Sequence, residues 1–167
     1  MRAILAPAIA IALAGCVTSR PDSGGPAPLP LPQSWISYET SACYGRCPVY
    51  SVTIGSDGSG RFVGKRFTAV EGERSFTVTP DQFAAFARLL APYRPESGAV
   101  RYAPGEPNCV RAPTDQPSVE VKWTYSFSPP QQLDFYFGCS GENAAIAGAL
   151  RRAPSLLPIE ALIGPRP

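Results

Sequence analysis

The ten residues from Ser118 to Phe127, SVEVKWTYSF, alternate strictly. Val119, Val121, Trp123, Tyr125 and Phe127 fall on one side, and Glu120, Lys122, Thr124 and Ser126 on the other. Side chains that switch faces at every residue belong to a β-strand, and one apolar face against one polar face means a sheet covered on a single side. Beyond SPPQ the partner QLDFYF repeats the pattern, with Leu133, Phe135 and Phe137 inward and Asp134 and Tyr136 outward. The rest of the chain must supply something to cover the apolar face.

Two helices are legible as that cover. In TPDQFAAFARLLAPYRP, Thr79 stands where a cap is needed, Pro80 at the first helical position and Gln82 three residues after the cap, which is the spacing of a capping box. Phe83, Phe86, Ala87 and Leu90 then recur on one stripe, and Pro92 ends the run. A second helix over about 142–152 carries Ala145, Ile146, Ala149 and Leu150 on one side.

Upstream, β-branched and aromatic residues flank Asp57-Gly58, a pair favoured in tight hairpin turns because both residues tolerate positive φ. Strands are expected at about 48–55 and 60–66, with a third at 74–79, RSFTVT. Residues 93–117, rich in Pro, Gly and Arg, read as a long connection holding Cys109. The expected class is α+β: an antiparallel β-sheet of about five strands, in the order β-β-β-α-β-β-α, with two helices packed on one face.

The N-terminus speaks to address. An apolar run from Ala3 to Leu13 is too short to span a membrane but suits the core of an export signal. It ends in LAGC, which resembles the lipobox of bacterial lipoproteins, so the resemblance implies lipidation of Cys16 after removal of residues 1–15. A plain cleavage near Gly15 would instead leave an odd free thiol in an exported protein. Val17 is not the Asp that favours inner-membrane retention in proteobacterial lipoproteins, so an outer-membrane anchor facing the periplasm is expected.

Prolines at 21, 26, 28, 30 and 32 make residues 16–34 a lipid-bearing, extended tether, with a reach of up to about 50 Å. Residues 35–167 are then enough chain for a single domain. Lys plus Arg number 15 against 13 for Asp plus Glu, with no histidine, so the near-neutral overall charge offers no case for nucleic acid or for an anionic surface. The expected partners are the membrane, through the anchor, and an envelope protein or glycan.

Cys43, Cys47, Cys109 and Cys139 are an even set, and in an oxidising compartment two disulfides are the simplest use of them, in any of three connectivities. A thioredoxin-like centre wants C-x-x-C at a helix N-terminus, whereas here the spacing is C-x-x-x-C and Pro48 and a strand follow. A metal site would need closer clustering and has no histidine to draw on, so no metal or cofactor is expected. Ser140 in FGCSGENA lacks the second glycine of a nucleophile elbow, because Glu142 stands there, and reads as a cap or turn residue. Asp115 and Asp134 are the candidate acids for a hydrolase, although Asp115 and Asp57 equally suit closing turns on nearby N–H groups. Asp57 with Ser59 is too little for a calcium loop. Tyr44, Asp115 and Tyr136, with Trp35 and Tyr38 where the domain begins, are the candidate binding surface.

CYGRCPVYSVTIGSDGSGRFVG resembles the opening of an uncharacterised bacterial family of exported and lipid-anchored proteins, domain of unknown function 6438. Its hallmark is C-x-G-x-C-P-x-Y, a strand and a D-G turn, matched by Cys43, Gly45, Cys47, Pro48, Tyr50, Asp57 and Gly58. TDQP at 114–117 and FYFG before the last helix also fit, so the similarity covers about 40–152. It implies an exported α+β domain with no assigned activity. Members often carry the first cysteine pair alone, which implies Cys43 with Cys47 and Cys109 with Cys139.

These readings favour a non-enzymatic envelope-binding lipoprotein over an envelope enzyme, either a thiol oxidoreductase or a carboxylate hydrolase, and over an inhibitor presenting the hairpin at Asp57-Gly58. Redox titration separates the first two: a structural Cys43–Cys47 staple should have a reduction potential below about −300 mV, whereas a value in the range of oxidoreductases would mark a reactive centre.

Overall fold

The computed structural model describes residues 33–165. The expected signal peptide, the lipidated Cys16 and nearly all of the tether lie outside the described residues. The strands are β1 (Ser34–Thr40), β2 (Val49–Gly55), β3 (Ser59–Arg66), β4 (Gly72–Thr77), β5 (Ala99–Tyr102), β6 (Ser118–Tyr125) and β7 (Ser128–Tyr136). The helices are α1 (Pro80–Leu90), α2 (Ala144–Arg152) and the single turn α3 (Glu160–Ile163), with short 3₁₀ turns between elements. One mixed sheet runs in the order β4-β3-β2-β1-β6-β7-β5.

The class is α+β, and the expectation of about five strands is corrected to seven. The sequence pattern does not mark β1, because SWISYET follows a proline-rich stretch and offers only Ile36 and Tyr38 to the core. It is nevertheless central, pairing antiparallel with β2 (Ser37 opposite Thr53) and with β6 (Ser37 opposite Lys122). β5 lies inside what reads as a long connection. It is four residues long and pairs parallel with β7, Arg101 beside Asp134, so the sheet is not wholly antiparallel.

The alternation predicted for the later strands holds over most of their length. Val119, Val121, Trp123, Leu133 and Phe135 are buried, facing Phe86 and Leu90 of α1 and Ile146, Ala147 and Leu150 of α2 in one core. It fails at the turn: Phe127, expected inward, is 81% exposed, because β6 ends at Tyr125 and the register shifts before Tyr125 meets Ser128. Phe137 leaves the strand for a 3₁₀ turn over Phe137–Gly141 but still packs, partly buried, against the core, its ring 5.5 Å from that of Phe135. Pro129 and Pro130 sit within β7 where β5 does not yet reach, so no ladder bond on that side is lost.

The α1 start is as expected. Thr79 Oγ1 accepts from Gln82 N at 3.2 Å while Gln82 Oε1 accepts from Thr79 N at 3.0 Å, a complete capping box. The hairpin differs in detail. Gly58 N donates to Gly55 O at 3.0 Å and only Gly58 has positive φ, +87°, so the loop is a type I turn closed by a glycine bulge rather than a two-residue turn. Asp57 Oδ1 accepts from Ser59 Oγ at 2.6 Å and Ser59 N at 2.9 Å; these bonds, the hydroxyl first, hold its carboxyl below the ordinary aspartate value.

Phe62 is fully buried where β3 crosses the core and stacks on Tyr50 with ring centroids 5.5 Å apart. Truncation to Ala should lower unfolding stability by about 3–5 kcal/mol, read as a shifted denaturant midpoint with an unchanged slope.

Candidate functional site

Because α1 and α2 cover one face, the other is left open, and its polar residues are brought into rows by register. Glu39 of β1 lies opposite Glu120 of β6, Glu120 opposite Asp134 of β7, and Asp134 beside Arg101 of β5. Three carboxylates in one cross-strand row would repel if nothing intervened. Each has a donor: Lys65 Nζ lies 2.5 Å from Glu39, Lys122 Nζ lies 3.2 Å from Glu120, and Gln132 Nε2 donates to Glu120 at 3.0 Å and to Asp134 at 3.1 Å. The row lines a groove of about 590 Å³, with Arg101 and Tyr136 among its walls.

The candidate surface residues meet this groove in part. Tyr136 lines it, and its hydroxyl donates to Pro113 O at 2.8 Å and accepts from Gln116 N at 3.1 Å, clamping the loop that contains Asp115. Asp115 adopts φ +67° and accepts from Thr114 Oγ1 at 2.9 Å, while its carbonyl accepts from Tyr44 N at 3.1 Å. Tyr44, Asp115 and Tyr136 are thus linked through one loop, with the Tyr44 ring 89% exposed at its outer side.

Trp35 and Tyr38 do not join them. Tyr38 is 3% exposed on the helix side, its hydroxyl donating to Leu150 O at 2.9 Å, and Trp35 sits near the opposite end of β1 from the Tyr44 loop. Asp134 is in the groove and Asp115 in the loop beyond Tyr136, so the two acids named from the sequence do not face one another. The acid beside Asp134 is Glu120, and its place could be read only as "polar face" until the register was known.

The disulfides are Cys43–Cys47, with Cα atoms 5.8 Å apart, and Cys109–Cys139, at 5.4 Å. The first closes the β1–β2 connection, where Gly45 takes φ +136°, a conformation rarely open to other residues. The second is buried and ties the 103–117 loop to the 3₁₀ turn after β7. Ser140, in that turn, donates to Phe137 O at 2.6 Å and accepts from Arg151 Nη2 at 3.2 Å, a turn residue as expected. Among the described residues no cluster of three or more His, Cys, Asp or Glu has the placement to hold a metal ion.

The hairpin, both cysteine pairs and the strands flanking the groove all fall inside the match of one family model, residues 34–156, described as a domain of unknown function (DUF6438). The chain belongs to this family. No curated protein and no solved structure matches it. In this DUF6438 chain the matched segment takes in β1 and β5, and so every strand that lines the groove.

The Tyr136 clamp has a specific consequence. Tyr136→Phe should leave the fold intact yet weaken the 113–117 loop by about 1–2 kcal/mol, since two hydrogen bonds are removed together. Amide exchange at Gln116 should accelerate while exchange in β6 and β7 stays unchanged, and equal acceleration everywhere would place the effect in the core instead.

Proposed function

We propose that this protein is a lipoprotein of the outer membrane, facing the periplasm through its Cys16 anchor, whose disulfide-stapled domain binds an envelope glycan or protein on the open face of its sheet. The apolar run, the LAGC motif and the proline-rich segment support the address. The observation that carries the binding role is the groove itself. Glu120, Gln132, Asp134 and Arg101 set acceptors and donors side by side on paired strands, so their spacing is fixed before a ligand arrives. Hydroxyl- and amide-rich ligands need such alternating partners, and Tyr136 adds a ring to the same wall.

One observation favours a second reading. The Glu120 and Asp134 carboxylates accept from the same Gln132 amide, so two acids stand together as a carboxylate hydrolase requires.

A single experiment addresses both. Full-length protein and the variants Arg101→Ala, Glu120→Gln and Asp134→Asn are crosslinked to envelope extract and the bound glycan or protein is identified. Capture that falls at least tenfold in all three variants, with the captured molecule recovered intact, supports binding; capture indifferent to all three overturns the groove as the site. A glycan recovered cleaved by the wild type and intact from Glu120→Gln or Asp134→Asn would turn the reading to the hydrolase.

A further inference from the structure

At the end of the sheet where β1 hands over to β2, two arginines converge on one ring. The Arg46 guanidinium lies 5.5 Å from the centroid of Phe67, and that of Arg66 lies 5.0 Å from it. Neither forms a salt bridge among the described residues, where the ion pairs are Arg61–Glu73, Lys65–Glu39 and Lys122–Glu120. Two cations held against one ring concentrate positive charge there, and an anion binding beside them offsets it. A guanidinium held against a ring face keeps its N–H edges free, the geometry that takes a phosphate bidentately.

The backbone holds this cluster outward. Phe67 has φ +57°, a strained value for a non-glycine residue, and its ring is 40% exposed. The strain is sustained by the loop that follows: Ala69 N donates to Ile163 O at 3.0 Å and Val70 N to Leu162 O at 3.1 Å, pinning the connection to α3. Gly64 permits the close turn, since a Cβ there would come within 1.9 Å of Val70 O. On the neighbouring connection the Cys43–Cys47 staple and the Tyr44 N to Asp115 O bond fix the segment carrying Tyr44 and Arg46. The result is a tip bearing two exposed aromatic residues, Tyr44 and Phe67, and two guanidiniums without an ion-pair partner among the described residues.

We infer that this tip binds the interface of an anionic phospholipid membrane. Amphipathic rings settle at headgroup depth, and arginines beside them pair with phosphodiesters. The described chain begins at the far end of β1, about 20 Å from the tip. The number of residues in 17–32 is enough chain to let the tip meet the membrane that the proposed anchor occupies. The inference itself stands without that anchor and without the groove reading.

The test places a reporter in the tip. The full chain carrying Tyr44→Trp is mixed with vesicles of 30% phosphatidylglycerol and 70% phosphatidylcholine whose acyl chains are brominated, and quenching is measured against the unsubstituted chain, which sets the background from Trp35 and Trp123. Quenching of the added tryptophan should occur, fall with salt, and require roughly 10- to 30-fold more lipid when Arg46→Gln and Arg66→Gln are introduced together. The milder glutamine variants are used because they remove charge without reversing it, and an unchanged melting temperature confirms the fold. No quenching of the added tryptophan, or equal quenching on pure phosphatidylcholine with and without the arginines, overturns the inference. A response of the reporter to poly-glutamate but not to vesicles also overturns it, and assigns the tip to an acidic protein segment.

Discussion

The sheet is held together by one strand. β1 is bonded on one edge to β2 and on the other to β6, and among the described residues no other strand links the β2-β3-β4 meander to the β6-β7-β5 group. Its register decides which residues share a row on both sides of the seam. Shifted by one residue, Ile36 and Tyr38 would leave the core and Glu39 would enter it. The helices can bridge the two halves only because β1 has already aligned their apolar faces.

The open face follows from that alignment. Glu39, Glu120 and Asp134 come from three strands scattered over nearly the whole folded chain, yet fall in one line. Such a line of like charge is stable only with intervening donors, and Lys65, Lys122 and Gln132 arrive from neighbouring positions to supply them. The two disulfides act on the borders of this surface rather than on it. One fixes the connection that presents Tyr44 and Arg46, and the other fixes the loop clamped by Tyr136. Neighbouring surfaces at the end of β1 therefore offer different chemistry: a groove of paired acids and amides on the sheet, and a basic, aromatic tip on the connections beyond it.

Where local chemistry decides structure, the chain could be read directly. Thr79, Pro80 and Gln82 specify the α1 start through bonds made within four residues, and the alternation in β6 specifies which side chains are buried. β5 was illegible because four residues between Pro- and Gly-rich stretches carry too little periodicity, and it is a strand only because β7 offers an edge. Tyr38 reads as surface because its neighbours Ser37 and Glu39 are polar; its burial depends on α1 and α2 closing over β1, where its hydroxyl meets Leu150 O. Phe127 reads as buried yet is exposed, since an alternating pattern does not say where a strand stops.

By itself the sequence determined the class, the helix cap, the hairpin, the buried face of β6 and β7, and the even set of cysteines, because each depends on spacing within a short stretch of chain. Only the tertiary structure decided that Glu120 stands between Glu39 and Asp134, that Arg101 closes their row, and that Arg46 and Arg66 share the ring of Phe67. Those neighbours are set by strand order and register, which come from the combined packing of every apolar face against the helices and are encoded in no single segment.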